Sequence, residues 1–246
     1  MKKIIDRIMR NPIMFEISSL FIYAFYCGVF GVAAIPAALL IKRSVPFLLG
    51  GFWFFCLFIV LCFVAFYLFF ICGAVVLGIT ERLLTLGFKP GKYLPNSPTF
   101  VRWLTYAGLH LWTVNLILPF IQGNNWIKIY LRLAGAKIGK EVFVNSKRFY
   151  DPYLLTIKDN VLIGGEAVLN CHLFEGGHLV LGEIVVESGT SIGANSYLTP
   201  GTHTGKNCAT GIYTNLRRNT TMNDGEVLIS VPGMTLRQYA KIVRTE

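Results

Sequence analysis

Residues 161–202 read VLIGGEAVLNCHLFEGGHLVLGEIVVESGTSIGANSYLTPGT, and an aliphatic residue returns every six positions, often with Gly behind it. The clearest pairs are Ile163-Gly164, Leu181-Gly182 and Ile192-Gly193. Ile138-Gly139 carries the phase upstream, and Thr204-Gly205 and Thr210-Gly211 carry it downstream with a smaller first residue. Two registers are present. One runs 157, 163, 169, 175, 181, and after a one-residue slip a second runs 186, 192, 198, 204, 210. A period of six with a small residue after the aliphatic one is the pattern of a β-helix built from hexapeptides. Each hexad supplies a short flat face whose aliphatic side chain points into a narrow triangular core, and the small residue turns the corner where a Cβ would collide. An amphipathic helix would show a period of about 3.6, and a sandwich would alternate strictly between turns about 8–12 residues apart. Neither is sustained here. Three hexads make a coil, so residues 138–215 predict about four coils.

Upstream the chain has another character. Of the 246 residues 54% are hydrophobic and only 15% charged, against about 25% charged in an ordinary soluble domain. Before residue 140 the only acids are Asp6, Glu16 and Glu81. Two uncharged runs, 17–41 and 45–79, each exceed the roughly 20 apolar residues that cross a bilayer. The stretch Lys42-Arg43-Ser44-Val45-Pro46 joins them as a tight helical hairpin. Lys2, Lys3, Arg7 and Arg10 precede the hairpin and Arg82, Lys89, Lys92 and Arg102 follow it, while only Lys42 and Arg43 lie in its turn. That asymmetry predicts both ends on the cytoplasmic side. The third apolar stretch, 103–121, contains His110, Asn115 and Pro119 with Trp103, Tyr106 and Trp112 and reads as an interfacial or re-entrant helix, with a third crossing as the alternative. His110 then either reaches the headgroups or serves chemistry. The net charge of +10 gathers beside the apolar runs, which fits anionic lipid; dispersed cations without a recognition motif exclude a nucleic-acid partner. The six cysteines show no CxxC or Cys/His ligand spacing, so neither zinc nor a redox dithiol is expected.

The stretch GAKIGKEVFV (135–144) together with 161–202 resembles the left-handed β-helix, hexapeptide-repeat acyltransferases. It is most similar to the membrane-bound, C-terminal acyltransferase-like domain of poly-lysine synthetases, where a THLFE-type string follows transmembrane helices. Here the string is Cys171-His172-Leu173-Phe174-Glu175. The resemblance covers residues 125–235. It implies a homotrimer, acetyl coenzyme A or another acyl thioester as co-substrate, and His172 as catalytic base. A Gly-x-Pro-Ala ending is replaced by Val231-Pro232-Gly233-Met234, and only residues 145–154 stand where a long acceptor-covering loop is usual.

Acyl transfer to a hydroxyl or amine needs a base for the acceptor's proton and donors for the tetrahedral oxyanion. An imidazole can take that proton at neutral pH. Glu175, three residues on, is the expected partner that orients His172. His178 and His203 are competing imidazoles, with His178 expected one hexad on, on the next face of the coil. Cys171 should point opposite to His172 and into the core. Asn170 and Asn195 are candidate oxyanion donors. Lys206, Arg217 and Arg218 are candidates for the donor's phosphates; His178, Asn195 and these cations form the expected substrate- and donor-binding set. No metal site is expected.

The resulting expectation is a membrane helical hairpin, then an interfacial helix, then a left-handed parallel β-helix. Residues 1–126 form the membrane domain, with helices near 13–41 and 45–80 and an apolar segment near 100–121. Residues 127–235 form the β-helix and 236–246 a tail. The expected activity is transfer of an acyl group, acetyl in the first instance, to a hydroxyl or amine of an envelope-associated, saccharide or lipid-linked acceptor, by a protein of the inner membrane whose β-helix faces the cytoplasm. The alternatives are a non-catalytic trimeric scaffold and a γ-class carbonic anhydrase-like metalloenzyme, which would draw three imidazoles around one zinc.

Overall fold

The computed structural model describes residues 12–229; the tail at 236–246 and the cations at 2, 3, 7 and 10 lie outside the described residues. Helix α1 (Pro12–Ser44) and helix α2 (Phe52–Thr85) are joined by a 3-10 turn, Val45–Leu49. Each supplies a stretch long and apolar enough to cross a membrane. The second helix starts at Phe52 and not near 45, because Pro46 opens the 3-10 turn and Gly51 takes a φ of 90° before the helix begins. It also runs on to Thr85, past the expected end near 80, and so carries Glu81 inside it. Outward faces of both helices are apolar: Phe21, Phe52 and Trp53 are all exposed.

Helix α3 (Pro98–Trp112) begins at a Ser97 cap whose side chain accepts from the Phe100 N–H at 3.2 Å, with Pro98 pre-set for the first turn. The apolar segment does not continue as one helix to 121. It loosens into a π turn, Thr113–Ile117, where Asn115 bonds back to the Leu111 carbonyl, and then a 3-10 turn containing Pro119. Helix α4 (Asn125–Leu133) is capped by Asn124. Two glycines allow the close approaches of these helices. A Cβ at Gly78 of α2 would lie 2.9 Å from Leu133 Cβ of α4, and one at Gly108 of α3 would strike the Tyr26 hydroxyl of α1.

From residue 137 the chain winds into parallel coils with three faces. On one face Val144, Ile163, Ile192, Thr210 and Leu228 stack in register; on another Phe149, Leu169, Leu198 and Leu216 do so; on the third Ile138, Ile157 and Val186 do. Ile157, Ile163, Leu169, Val186, Ile192 and Leu198 are at most 1% exposed, and burying each such side chain contributes roughly 1.5–3 kcal/mol. The hexads therefore point inward as read, with one correction. Residues 175 and 181 are not coil positions. The strands His172–Glu175 and His178–Leu181 form an antiparallel hairpin that leaves the coil after Cys171, and Gly91–Tyr93 adds to it as a third strand. Gly176-Gly177 at the tip, both at positive φ, make the reversal that a hexad does not contain. The slip between the two sequence registers is where this excursion rejoins the coil at Ile184.

Candidate active site

Asp151 organises the site. It follows the strand Phe149–Tyr150, precedes Pro152 and sits in the left-handed region at φ 58°, ψ 58°. Seven other non-glycine residues among those described have positive φ, but only Asp151 is buried, at 1% exposure. Such a conformation costs about 1–3 kcal/mol and persists where surrounding contacts over-determine it. Here they do. The Asp151 carboxylate accepts at Oδ1 from Trp103 Nε1 (2.8 Å) and the Tyr153 hydroxyl (2.9 Å), and at Oδ2 from His172 Nδ1 (2.5 Å). Its backbone N–H donates to the Tyr106 hydroxyl at 3.1 Å. Burial alone would raise the carboxyl's pKa, but the hydrogen bonds from His172, Trp103 and Tyr153 and the facing imidazole hold it below its ordinary range.

The carboxylate fixes the imidazole. Since Asp151 Oδ2 only accepts, Nδ1 of His172 carries the hydrogen, and Nε2 is left as the ring's proton acceptor. The Trp103 ring lies against His172 edge-on, 4.9 Å between centroids, with Tyr150 at 6.1 Å. His172 lines a cavity of about 270 Å³ with Arg148, Tyr150, Val168, Asn170 and Tyr197. Asn170 holds one wall: its Nδ2 donates to the Tyr197 hydroxyl at 2.8 Å and its Oδ1 accepts from the His172 N–H at 3.3 Å.

The other sequence candidates are distributed differently. Glu175 does not orient His172. Three positions along a strand reverse the face, so Phe174, not Glu175, shares a side with His172, and Glu175 ion-pairs with Arg218. His178 is Glu175's cross-strand neighbour on the hairpin, bonded to the Gly176 carbonyl at 2.8 Å, and not on the next face of a coil. Cys171 is a fully buried core residue whose thiol is pushed up by burial. Asn195 turns an exposed left-handed corner. Arg218 and His203 line a second cavity of about 540 Å³, at the foot of the hairpin, together with Lys92. Lys206 is exposed one coil on, and Arg217 is exposed nearby. Among the described residues no three His, Cys, Asp or Glu side chains of one chain converge on a point that would hold a metal.

Sequence reading missed Asp151 and the helix that holds it. Trp103, Tyr106 and His110 read as interfacial aromatics and a headgroup imidazole, yet all three are at most 4% exposed and face the strand Phe149–Tyr150 from one side of α3. Their spacing of three and four is the signal of a shared helix face. His110 donates from Nε2 to the Phe149 carbonyl at 2.7 Å and pairs through Nδ1 with Glu81 at 2.9 Å.

No family model matches the chain. It is 31% identical over 172 residues to delta-poly-L-ornithine synthetase of Acinetobacter baumannii, covering 68% of this chain and 12% of that protein. It is 30% identical over 118 residues to Escherichia coli WcaF, which carries the name of a colanic acid biosynthesis acetyltransferase, covering 48% of this chain and 55% of that one. The chain thus spans about an eighth and about half of the lengths of these relatives. A solved hexapeptide-repeat acetyltransferase of Vibrio cholerae, complexed with acetyl coenzyme A, superposes with a TM-score of 0.42 at 15% identity over 64% of this chain and 97% of that one. The six-residue repeat, the parallel coils that repeat builds and these sequence relatives together support the hexapeptide-repeat acetyltransferase family for this chain.

Proposed function

We propose that this protein is a membrane-anchored acyltransferase that moves an acetyl group from acetyl coenzyme A to a hydroxyl or amine of an envelope-associated or saccharide acceptor. The observation that carries the reading is the Asp151–His172 pair at the wall of a polar cavity. In the proposed step Nε2 of His172 takes the acceptor's proton as its oxygen or nitrogen attacks the thioester carbonyl. The tetrahedral oxyanion collapses, the C–S bond breaks, and the proton passes to the departing thiolate. Asp151 keeps Nδ1–H donated and supports the imidazolium while it exists. Asn170, whose amide has a second hydrogen and lines the same cavity, is the proposed side-chain donor for the oxyanion. Arg218, Lys92 and Lys206 would meet the donor's phosphates. A scaffold without chemistry would have no use for a buried, strained carboxylate aimed at a partly exposed imidazole, which favours catalysis over that alternative.

In this reading α1 and α2 cross the inner membrane as a hairpin, and the Lys and Arg distribution keeps the β-helix cytoplasmic, where thioesters are supplied. Residues 1–126 act as the anchor and 127–235 as the transferase unit. The homotrimer has a specific support: Phe143, Leu162 and Val227 are exposed apolar residues in one register column on one coil face, a surface that packing around an axis would bury. In detergent or nanodiscs the protein should have the mass of three chains. Supplied with native membranes and acetyl coenzyme A labelled in the acetyl group, it should release free thiol and fix label in membrane or envelope material. Label-free membranes and no thiol release would refute the activity.

A further inference from the structure

Glu81 is the one acidic side chain in the 34 residues of α2, and it is fully buried. Its Oε2 accepts from the Tyr130 hydroxyl of α4 at 2.6 Å and from His110 Nδ1 of α3 at 2.9 Å, and its Oε1 accepts from the Thr113 hydroxyl at 2.7 Å. His110, 2% exposed, donates from its other nitrogen to the Phe149 carbonyl. Both ring nitrogens therefore act as donors, which describes an imidazolium. Burial works against that charge and is the largest single influence, but Glu81, Asp151 and the Phe149 carbonyl together hold the His110 pKa above its ordinary value. The groups facing His110 are Glu81 from α2, Tyr130 from α4, Tyr106 on its own helix, and Tyr150 and Asp151 from the coil.

The contact at Phe149 matters because Phe149–Tyr150 is the edge strand of its face. Carbonyls of Arg148 and Tyr150 bond inward, to Leu169 and Cys171. The Phe149 carbonyl points the other way, as does the Asp151 N–H two residues on, and both are buried groups that need partners. His110 and Tyr106 supply them. A buried ion pair between helices is no more stabilising than an apolar pair of the same shape, so stability alone gives no reason to keep one.

We infer that Glu81, supplied by a membrane-type helix, is a positioning residue for the Asp151–His172 pair, acting through the His110 imidazolium on the strand that delivers Asp151. The inference rests on the transferase reading above. Without Glu81 the imidazole becomes neutral, the charge-assisted hold on Phe149 weakens, and the left-handed Asp151 relaxes away from His172. Docking of α2 thereby becomes a condition of a competent base, and anchor and active site are one mechanical unit.

The test is a double-mutant cycle in full-length protein in nanodiscs. Glu81→Gln is expected to lower kcat by about 10–100-fold and to leave KM for acetyl coenzyme A within about threefold. In an Asp151→Asn background the same change should cost less than about threefold, because the pair it positions is already lost. Equal losses in both backgrounds, or parental kcat in Glu81→Gln, would overturn the inference while leaving the transferase intact. An inactive parent would overturn the transferase reading and the inference with it. Where Glu81→Gln folds poorly, His110 carries the test. His110→Gln retains an amide N–H for Phe149 but not the charge, so it should lower kcat by the same roughly 10–100-fold as the loss of Glu81 in the parent and by less than about threefold in the Asp151→Asn background; parental kcat, or equal losses in both backgrounds, would count against the proposal.

Discussion

Replacing His172 with alanine is expected to lower acyl transfer by about 10²–10⁴-fold while the coils persist. The fold does not depend on this ring. His172 begins the hairpin strand, outside the core positions Ile163, Leu169 and Ile192 that hold the coils together, and about a fifth of its side chain is exposed. In the proposed step what is lost is Nε2, the nitrogen of the Asp151-bound imidazole that takes the acceptor's proton. Glu175→Gln should stay within about tenfold of the parent, a barrier change under about 1.4 kcal/mol, because Glu175 pairs with Arg218 on the other side of the strand. His178→Ala and His203→Ala should do the same. Initial rates of thiol release under saturating donor, with circular dichroism as the folding control, measure all four. Near-parental rates in His172→Ala with a severe loss in His178→Ala would move the base to the hairpin's far strand.

Asp151→Asn should be nearly as damaging, with a loss of about 10²-fold or more. The reason lies in what each oxygen does. Oδ1 faces two donors, Trp103 Nε1 and the Tyr153 hydroxyl, so an asparagine must turn its carbonyl oxygen to that side and its NH₂ toward His172. The amide then offers a hydrogen to Nδ1, which becomes an acceptor, and the ring's own hydrogen moves to Nε2. That tautomer cannot receive a proton from the acceptor; the same inversion in a Ser-His-Asp triad costs about 10⁴. The substitution also has a pH signature. The Asp151 pKa lies below its ordinary value of 3.8 in the folded protein, so its contribution to stability is full above the unfolded value of about 3.9 and is lost as pH falls through the lower folded one. Thermal melts of parent and Asp151→Asn should therefore differ at neutral pH and converge in strong acid. A constant difference across that range would show that the Asp151 pKa is the same in the folded and unfolded chain.

The coils were legible because each inward position is a separate, repeated decision: Ile157, Ile163 and Leu169, then Val186, Ile192 and Leu198, are aliphatic and buried. The hairpin was not, because Leu181 is aliphatic and six residues past Glu175, and so imitates a continued coil. His172 was legible through the string that contains it. Its partner was hidden by topology: Asp151 lies 21 residues earlier, about one coil, and only stacking of successive turns brings them together. A search one coil back from the imidazole would have found it. The clamp on Asp151 was hidden by composition, since tryptophan, tyrosine and histidine on an apolar helix read equally as membrane-interface residues or as an inward face. Glu81 carried its own signal. A single carboxylate in a long apolar helix asks for a buried partner, and His110, the one imidazole in the next apolar segment, 103–121, is that partner.

The most direct measurement is the tautomer of His172. The chain has four histidines, so ¹⁵N-histidine NMR of protein in nanodiscs can be assigned by single substitutions. The account predicts that at neutral pH His172 has a protonated Nδ1 with the downfield hydrogen of a strong bond to carboxylate and an unprotonated Nε2, and that Asp151→Asn reverses the two nitrogens. A His172 ring with hydrogen on Nε2 in the parent, or one averaging freely between tautomers, would contradict it.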